Sequence, residues 1–160
     1  MTENISDLAK KKLAKDINRV ALRMKLYYGG DTDRIQHFVR VYTLARSIGE
    51  LEHLNEEEQE QLELAAVVHD VSGDDPVTTV RDILRSCDIE EDVNMRVCHL
   101  VGNIENYEHI SSLDHQILVE AIMIVRFKER ETPPDKIVEI AEKRFITTTG
   151  KLFLKRAFDV

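Results

Sequence analysis

Apolar residues recur along this chain at the three- and four-residue spacing of helices, and no stretch shows the strict alternation of a half-buried strand. The pattern predicts an all-α domain of seven or eight helices. The first covers residues 4–28 and stops at Gly29–Gly30, since glycine readily leaves helical dihedrals. Asp31 or Thr32 then caps a second helix running to Leu51. Asn55, with Glu58 three residues on, forms a capping-box-like start for a third, which continues through LELAAVVHDV to Ser72–Gly73. Asp75–Pro76 opens a fourth in the usual cap-then-proline order. A fifth spans Glu90–Ile104, with Val93, Val97, Leu100 and Ile104 on one stripe. Ser111 or Ser112 starts a sixth, QILVEAIMIVRF; Pro133–Pro134 precede a seventh, and the tail beyond Thr147 makes a short last helix.

Two of these helices differ from the rest. Leu62–Val71 and Ile117–Phe127 are apolar around most of their circumference, whereas a surface helix shows one apolar stripe. Both are expected at the centre of a bundle. With no internal repeat or linker, residues 1–160 read as one domain: an N-terminal helix (1–30), a core (31–128) and C-terminal helices (129–160).

Composition narrows the setting. The 160 residues are 42% hydrophobic and 32% charged, which suits a globular chain able to bury a real core. A net charge of −8 argues against a general partner of nucleic-acid polymers, whose phosphates demand a basic surface. A small phosphorylated ligand needs only a few local cations and stays open. The basic run Lys10–Lys11–Lys12 with Lys15 reads as a solvated helix face. No apolar run is long enough for a membrane span, and MTENISDLAKKKLAKD lacks the apolar core of a secretory signal. Cys87 and Cys98 form no CxxC pattern, so the expected compartment is the reducing cytoplasm. Homo-oligomerisation through exposed helix faces is compatible with the pattern, which marks no interface.

Within the buried helices the few polar residues require a reason. His69 and Asp70 close the third helix directly after Ala65–Ala66–Val67–Val68. Burying an imidazole beside a carboxylate is costly unless each finds a strong partner. His37 shares the inward stripe of the second helix, with Val41, Leu44 and Ile48 at four, seven and eleven residues beyond it. Two imidazoles and one carboxylate in a core suit a divalent transition metal: Mn, Fe, Co, Ni or Zn. On spacing alone the favoured reading is the blander one, a hydrogen-bonded core histidine and a helix-end His–Asp pair, with the metal site as its rival.

The segments RIQHFVRVYTLARSIG and LELAAVVHDV, followed by VCHLVGNIENYEH, LDHQILVEA and RFITTTGKLF, resemble the HD superfamily of metal-dependent phosphohydrolases, small bacterial members in particular. The likeness runs from Thr32 to the C-terminus. It implies a helical bundle, with His37, His69 and Asp70 as the first three metal ligands. Asp70 would also help orient a water in catalysis. The substrate class it implies is a phosphate ester such as a nucleotide.

The chain also departs from that pattern. The family's last ligand is an aspartate in a stretch like ILVEAD; here Ile122 holds that position, and isoleucine cannot ligate a metal. Where relatives carry a histidine-rich run, this chain has Asn103-Ile104-Glu105, and the loop after the His–Asp doublet is short. Glu120 points to another helix face than Ile122 and is expected to pair with a neighbouring basic side chain. Arg126, one turn beyond Ile122, either pairs with Asp70 in place of a metal's charge or extends to the surface. Arg34, one turn before His37, either meets a substrate phosphate or is solvated. His99 is expected at the surface, His109 in a loop that could fold over the site, and His115 is a further candidate ligand. Thr147-Thr148-Thr149-Gly150-Lys151 lacks the GxxxxGK[ST] pattern of a phosphate loop and a preceding strand. Two functions follow: a phosphohydrolase with an impaired metal site, or a non-catalytic protein of the same fold that binds a ligand or a partner.

Overall fold

A computed structural model describes residues 4–160. Among these the chain forms eight α-helices, a single 3-10 turn and no strand. Local signals set most of the boundaries. Asn4 caps α1 (Ile5–Tyr28) by accepting from the Asp7 N–H at 2.8 Å, and Gly29 ends it at φ 60°, where any side chain would be strained. Asp31 caps α2 (Thr32–Leu51). Asn55 caps α3 (Glu56–Val68) through the Glu58 N–H at 2.8 Å. Asp75 caps α4 (Pro76–Ser86), with proline at its first turn, and α5 (Glu91–Gly102) follows. A 3-10 turn at Tyr107–His109 leads into α6 (Leu113–Glu129), then α7 (Pro134–Arg144) and α8 (Thr148–Phe158).

Every residue from Gln61 to Val68 in α3 is buried, and so is every residue from Asp114 to Val125 in α6. The cause is position. α3 touches α1, α2, α5 and α6, so beyond its exposed first turn no side of it is left for water. α6 lies between two apolar clusters. One side joins the main core of Met24, Phe38, Leu64, Leu100 and Ile117. The opposite side, through Val119, Met123 and Phe127, packs on Ile137, Phe145 and Leu154 of the C-terminal segment. Each fully buried large aliphatic side chain contributes roughly 1.5–3 kcal/mol, so this sandwiching anchors the C-terminal helices to the bundle. α2 meets α3 closely at Gly49, where an added Cβ would lie 2.9 Å from Leu62 Cδ2. No helix among the described residues is long and apolar enough to cross a membrane.

Two boundaries differ from the sequence expectation. α3 ends at Val68 rather than Ser72–Gly73, because the His69 ring folds back and its Nδ1 bonds the Ala66 carbonyl at 2.7 Å. That side-chain bond satisfies one of the free carbonyls of the last turn, so the chain can leave the helix there. α5 stops at Gly102, two residues before Ile104. At the start of α6, Ser112 occupies the cap position without capping. Its hydroxyl instead accepts from Arg96 at 2.7 Å, and Arg96 also grips the buried Asp114 at 2.9 Å.

Candidate metal centre

The early end of α3 turns His69 into the lower core, where His37 of α2 meets it. The two Nε2 atoms lie 3.0 Å apart, with the ring planes inclined at 49°. The remaining ring nitrogens are committed elsewhere. His69 Nδ1 faces the Ala66 carbonyl, which can only accept, so this nitrogen carries the proton. His37 Nδ1 lies 2.8 and 3.0 Å from the two carboxylate oxygens of Glu129, and donates to them. In neutral rings both Nε2 atoms therefore present bare lone pairs to one another. Two lone pairs at that distance repel unless one cation sits between them, either a proton or a metal ion. An oxygen of Asp70 completes the group: one ligand atom from each of His37, His69 and Asp70 lies within 4.8 Å of the others. Two imidazole nitrogens and one carboxylate oxygen, with the rings preset by hydrogen bonds behind them, fit a divalent transition metal.

Burial pushes the His69 imidazole down to about 4, and the neighbouring His37 ring and the Arg126 guanidinium act in the same direction against the Ala66 carbonyl and Asp70. A neutral ring is the form a metal requires.

Around this group lies an open cleft of about 280 Å³, lined by Asp33, Arg34, His37, Asp70, Arg126, Glu129 and Arg130. Arg34 binds Asp70 twice. Its Nη2 donates to the Asp70 carbonyl and its Nε lies 3.5 Å from Oδ2, while Nη1 reaches Ser72 Oγ at 3.3 Å. The guanidinium also stacks on the Tyr28 ring, 4.6 Å from its centre. Burial, aided by the charge of Asp70, raises the Tyr28 hydroxyl above its usual range, and that hydroxyl has no hydrogen-bond partner among the described residues.

The residues singled out in the sequence are thus partly assembled and partly dispersed. His37, His69, Asp70, Arg34 and Arg126 converge on one cleft. Arg126 does not pair with Asp70, however. It reaches outward to Glu105 at 3.1 Å, and the cation on Asp70 is Arg34. The α2–α3 geometry decides this, because Arg34 stands one turn before His37 and directly over the turn after α3. Ile122, 1% exposed, is enclosed in the main core. Glu120 meets no basic side chain. It is fully buried and accepts from Gln116 Nε2 at 2.7 Å, Thr147 Oγ1 at 2.6 Å, and the backbone N–H groups of Ile146 and Thr147 at 3.0 and 3.1 Å. The Thr147–Lys151 stretch is therefore the start of α8, closed by the chain's own carboxylate. His99 and His109 are exposed, His109 away from the cleft lining, and His115 is buried with Nε2 on the Asn103 carbonyl at 2.9 Å.

Glu129 escaped the sequence reading although two signals point to it. It follows Ile122 by seven residues, two helical turns, and so projects from the same face of α6. It is also a carboxylate at a helix C-terminus, where the macrodipole favours cations. Larger than the metal cleft is a recess of about 660 Å³ between α1, α2 and α3, lined by Leu13, Tyr42, Arg46, Leu54, Glu60 and Glu63 among others. Size alone does not make it the reactive site, since no grouping of potential metal ligands of this kind occurs there among the described residues.

The chain matches the HD domain family over residues 34–144. No curated protein and no solved structure matches it.

Proposed function

The chain belongs to the HD domain family, and from that premise we propose that it is a metal-dependent phosphohydrolase acting on a small phosphate ester such as a nucleotide. The observation that carries the reading is the pair of Nε2 lone pairs of His37 and His69, 3.0 Å apart, with an Asp70 oxygen in reach. A divalent transition metal (Mn, Fe, Co, Ni or Zn) held there would supply Lewis acidity, polarising a phosphoryl oxygen and acidifying a water at neutral pH.

The chain's own residues would do the rest. His37 and His69 bind through Nε2 because Glu129 and the Ala66 carbonyl hold their other nitrogens. Asp70, with Oδ2 turned to Arg34, offers its second oxygen to take the proton of an attacking water. The water oxygen bonds to phosphorus, the ester P–O bond breaks, and the departing alkoxide is protonated from solvent at the open side of the cleft. Arg34, Arg126 and Arg130 line the cleft and offset the charge of the phosphoryl oxygens. The cleft volume of about 280 Å³ accommodates a phosphate and its ester oxygen better than a whole nucleotide, whose base would remain outside.

One observation favours a second reading. The position that would bring a fourth ligand is Ile122, sealed in the core, so the ion has one carboxylate fewer and turnover falls. A protein that holds a phosphorylated ligand without hydrolysing it satisfies the same geometry.

Elemental analysis of protein purified without chelator or affinity-tag metal tests the first point. About one transition metal per chain supports the site; none after addition of excess Mn²⁺ or Zn²⁺ removes it. Phosphate release from p-nitrophenyl phosphate and a nucleotide panel, lost in Asp70→Asn, then separates the hydrolase from the binding protein.

A further inference from the structure

We propose that Glu129 is the positioning carboxylate of this metal centre, making up at one remove for the acid that Ile122 displaces. It does so as a partner of His37 rather than as a ligand. The inference rests on the metal reading above and deepens it, by assigning what the Glu129 contact does for the ring and for metal affinity.

The geometry is two-pronged: both Glu129 oxygens, at 2.8 and 3.0 Å, face the same His37 nitrogen. A carboxylate in that place fixes the proton on Nδ1 and leaves Nε2 unprotonated, aimed at His69 and the prospective ion. Without it the ring is free to adopt the other tautomer, whose Nε2–H would point into the site and block an ion. The carboxylate also brings negative charge. His37 and His69 are neutral as ligands, and the charge of Asp70 is offset by Arg34, so Glu129 supplies the negative charge that lies directly behind a ligand ring. Polarisation through the imidazole raises the basicity of Nε2 as well.

A purely structural clamp between α2 and α6 would explain the contact less well. Glu129 occupies the last position of α6, where an acid opposes the helix dipole, and its side chain is about one third exposed. A hydrogen bond so placed, at a solvent boundary, adds little to stability. Its cost is better explained by what it does to the ring.

The test combines two readouts on Glu129→Ala and Glu129→Gln. Long-range ¹H–¹⁵N spectra of the metal-free protein report which His37 nitrogen carries the proton. Calorimetric titration with Mn²⁺ or Zn²⁺ reports affinity. Wild type should show protonated Nδ1. Glu129→Ala should lose that preference and bind metal about 10–100-fold more weakly, with thermal stability nearly unchanged. Glu129→Gln, whose amide oxygen still accepts, should keep the tautomer and lose less affinity. Unchanged tautomer and unchanged affinity in Glu129→Ala would overturn the inference while leaving the metal reading intact. Failure of the wild type to take up metal would instead overturn the metal reading and the affinity half of this one. The tautomer half would still stand or fall on the metal-free spectra.

Discussion

Two carboxylates of helix α6, Glu120 and Glu129, do opposite things. Glu120, in its middle, is wholly buried and saturated by fixed donors: an amide, a hydroxyl and two backbone N–H groups. Three of those donors, the Thr147 hydroxyl and the two N–H groups, belong to the turn into α8, so the charge locks the C-terminal segment in place. Glu129, at the end of the same helix, meets a single titratable ring at the edge of an open cleft. A carboxylate whose lone pairs are filled by the backbone has nothing left to offer a ligand. One that faces an imidazole at a solvent boundary controls where a proton sits. The surroundings, rather than the residue type, separate structure from chemistry.

The sharpest way to break this contrast is Glu120→Ala. It abandons two backbone N–H groups and a hydroxyl, which should cost about 3–5 kcal/mol. Thermal or urea unfolding would measure that loss, and a change below about 1 kcal/mol would show that Glu120 is not the lock described. Gly150→Ala attacks the same contact from the other side, since the new Cβ would fall 1.8 Å from Glu120 Oε1.

At the cleft the order of effects reverses. Asp70→Asn should weaken metal binding by ~100-fold or more, about 2.7 kcal/mol, and abolish hydrolysis while the fold persists. Glu129→Ala should weaken binding by about 10–100-fold with little change in unfolding. Equal losses of stability for Glu120→Ala and Glu129→Ala would erase the distinction between the two acids.

Smaller effects refine it. Burial holds the Glu63 carboxyl above its ordinary range, opposed by Gln59, Arg46 and Tyr42. A folded-state pKa above the unfolded one means that the folded chain binds the proton more tightly. The stabilising contribution is then complete below the unfolded value and fades as pH rises through the folded one. Glu63→Gln should therefore be slightly more stable than the parent above neutral pH, by under about 1 kcal/mol, with the gap closing near pH 4. Urea midpoints across pH would show no such convergence if Glu63 were in effect solvated. Smallest of all is Arg126→Ala. Its partner Glu105 is mostly exposed, so the loss should be about 0–1 kcal/mol. A loss of several kcal/mol would mean that Arg126 holds a buried charge after all.

Much of the fold is legible in the chain because its causes are local. Asn4, Asp31, Asn55 and Asp75 accept hydrogen bonds from N–H groups three residues ahead, and Gly29 releases the helix behind it. The all-round apolar character of α3 and α6 marks them as central before any packing is known. His37 and the His69–Asp70 doublet stand out for a related reason, as polar groups on faces that must be buried. The bonds of Glu120 and Glu129 are different. Apart from the Gln116 amide one turn before Glu120, they join residues 26 or 27 positions apart in one case and 92 in the other, and no periodicity announces a partner at such separations.

By itself, then, the sequence determines the helices, their order, which of them are buried and which polar residues need a reason to be there. Hydrogen bonds of one turn and the burial of apolar faces act over a few residues and leave a local trace. Tertiary structure alone decides how the charges pair: Arg34 rather than Arg126 on Asp70, Glu129 behind His37, and Glu120 at the head of α8. Several cations and carboxylates lie within a turn or two of each candidate partner along the chain. Only the packing of α2, α3 and α6 brings one of them within hydrogen-bond distance and turns the others toward water.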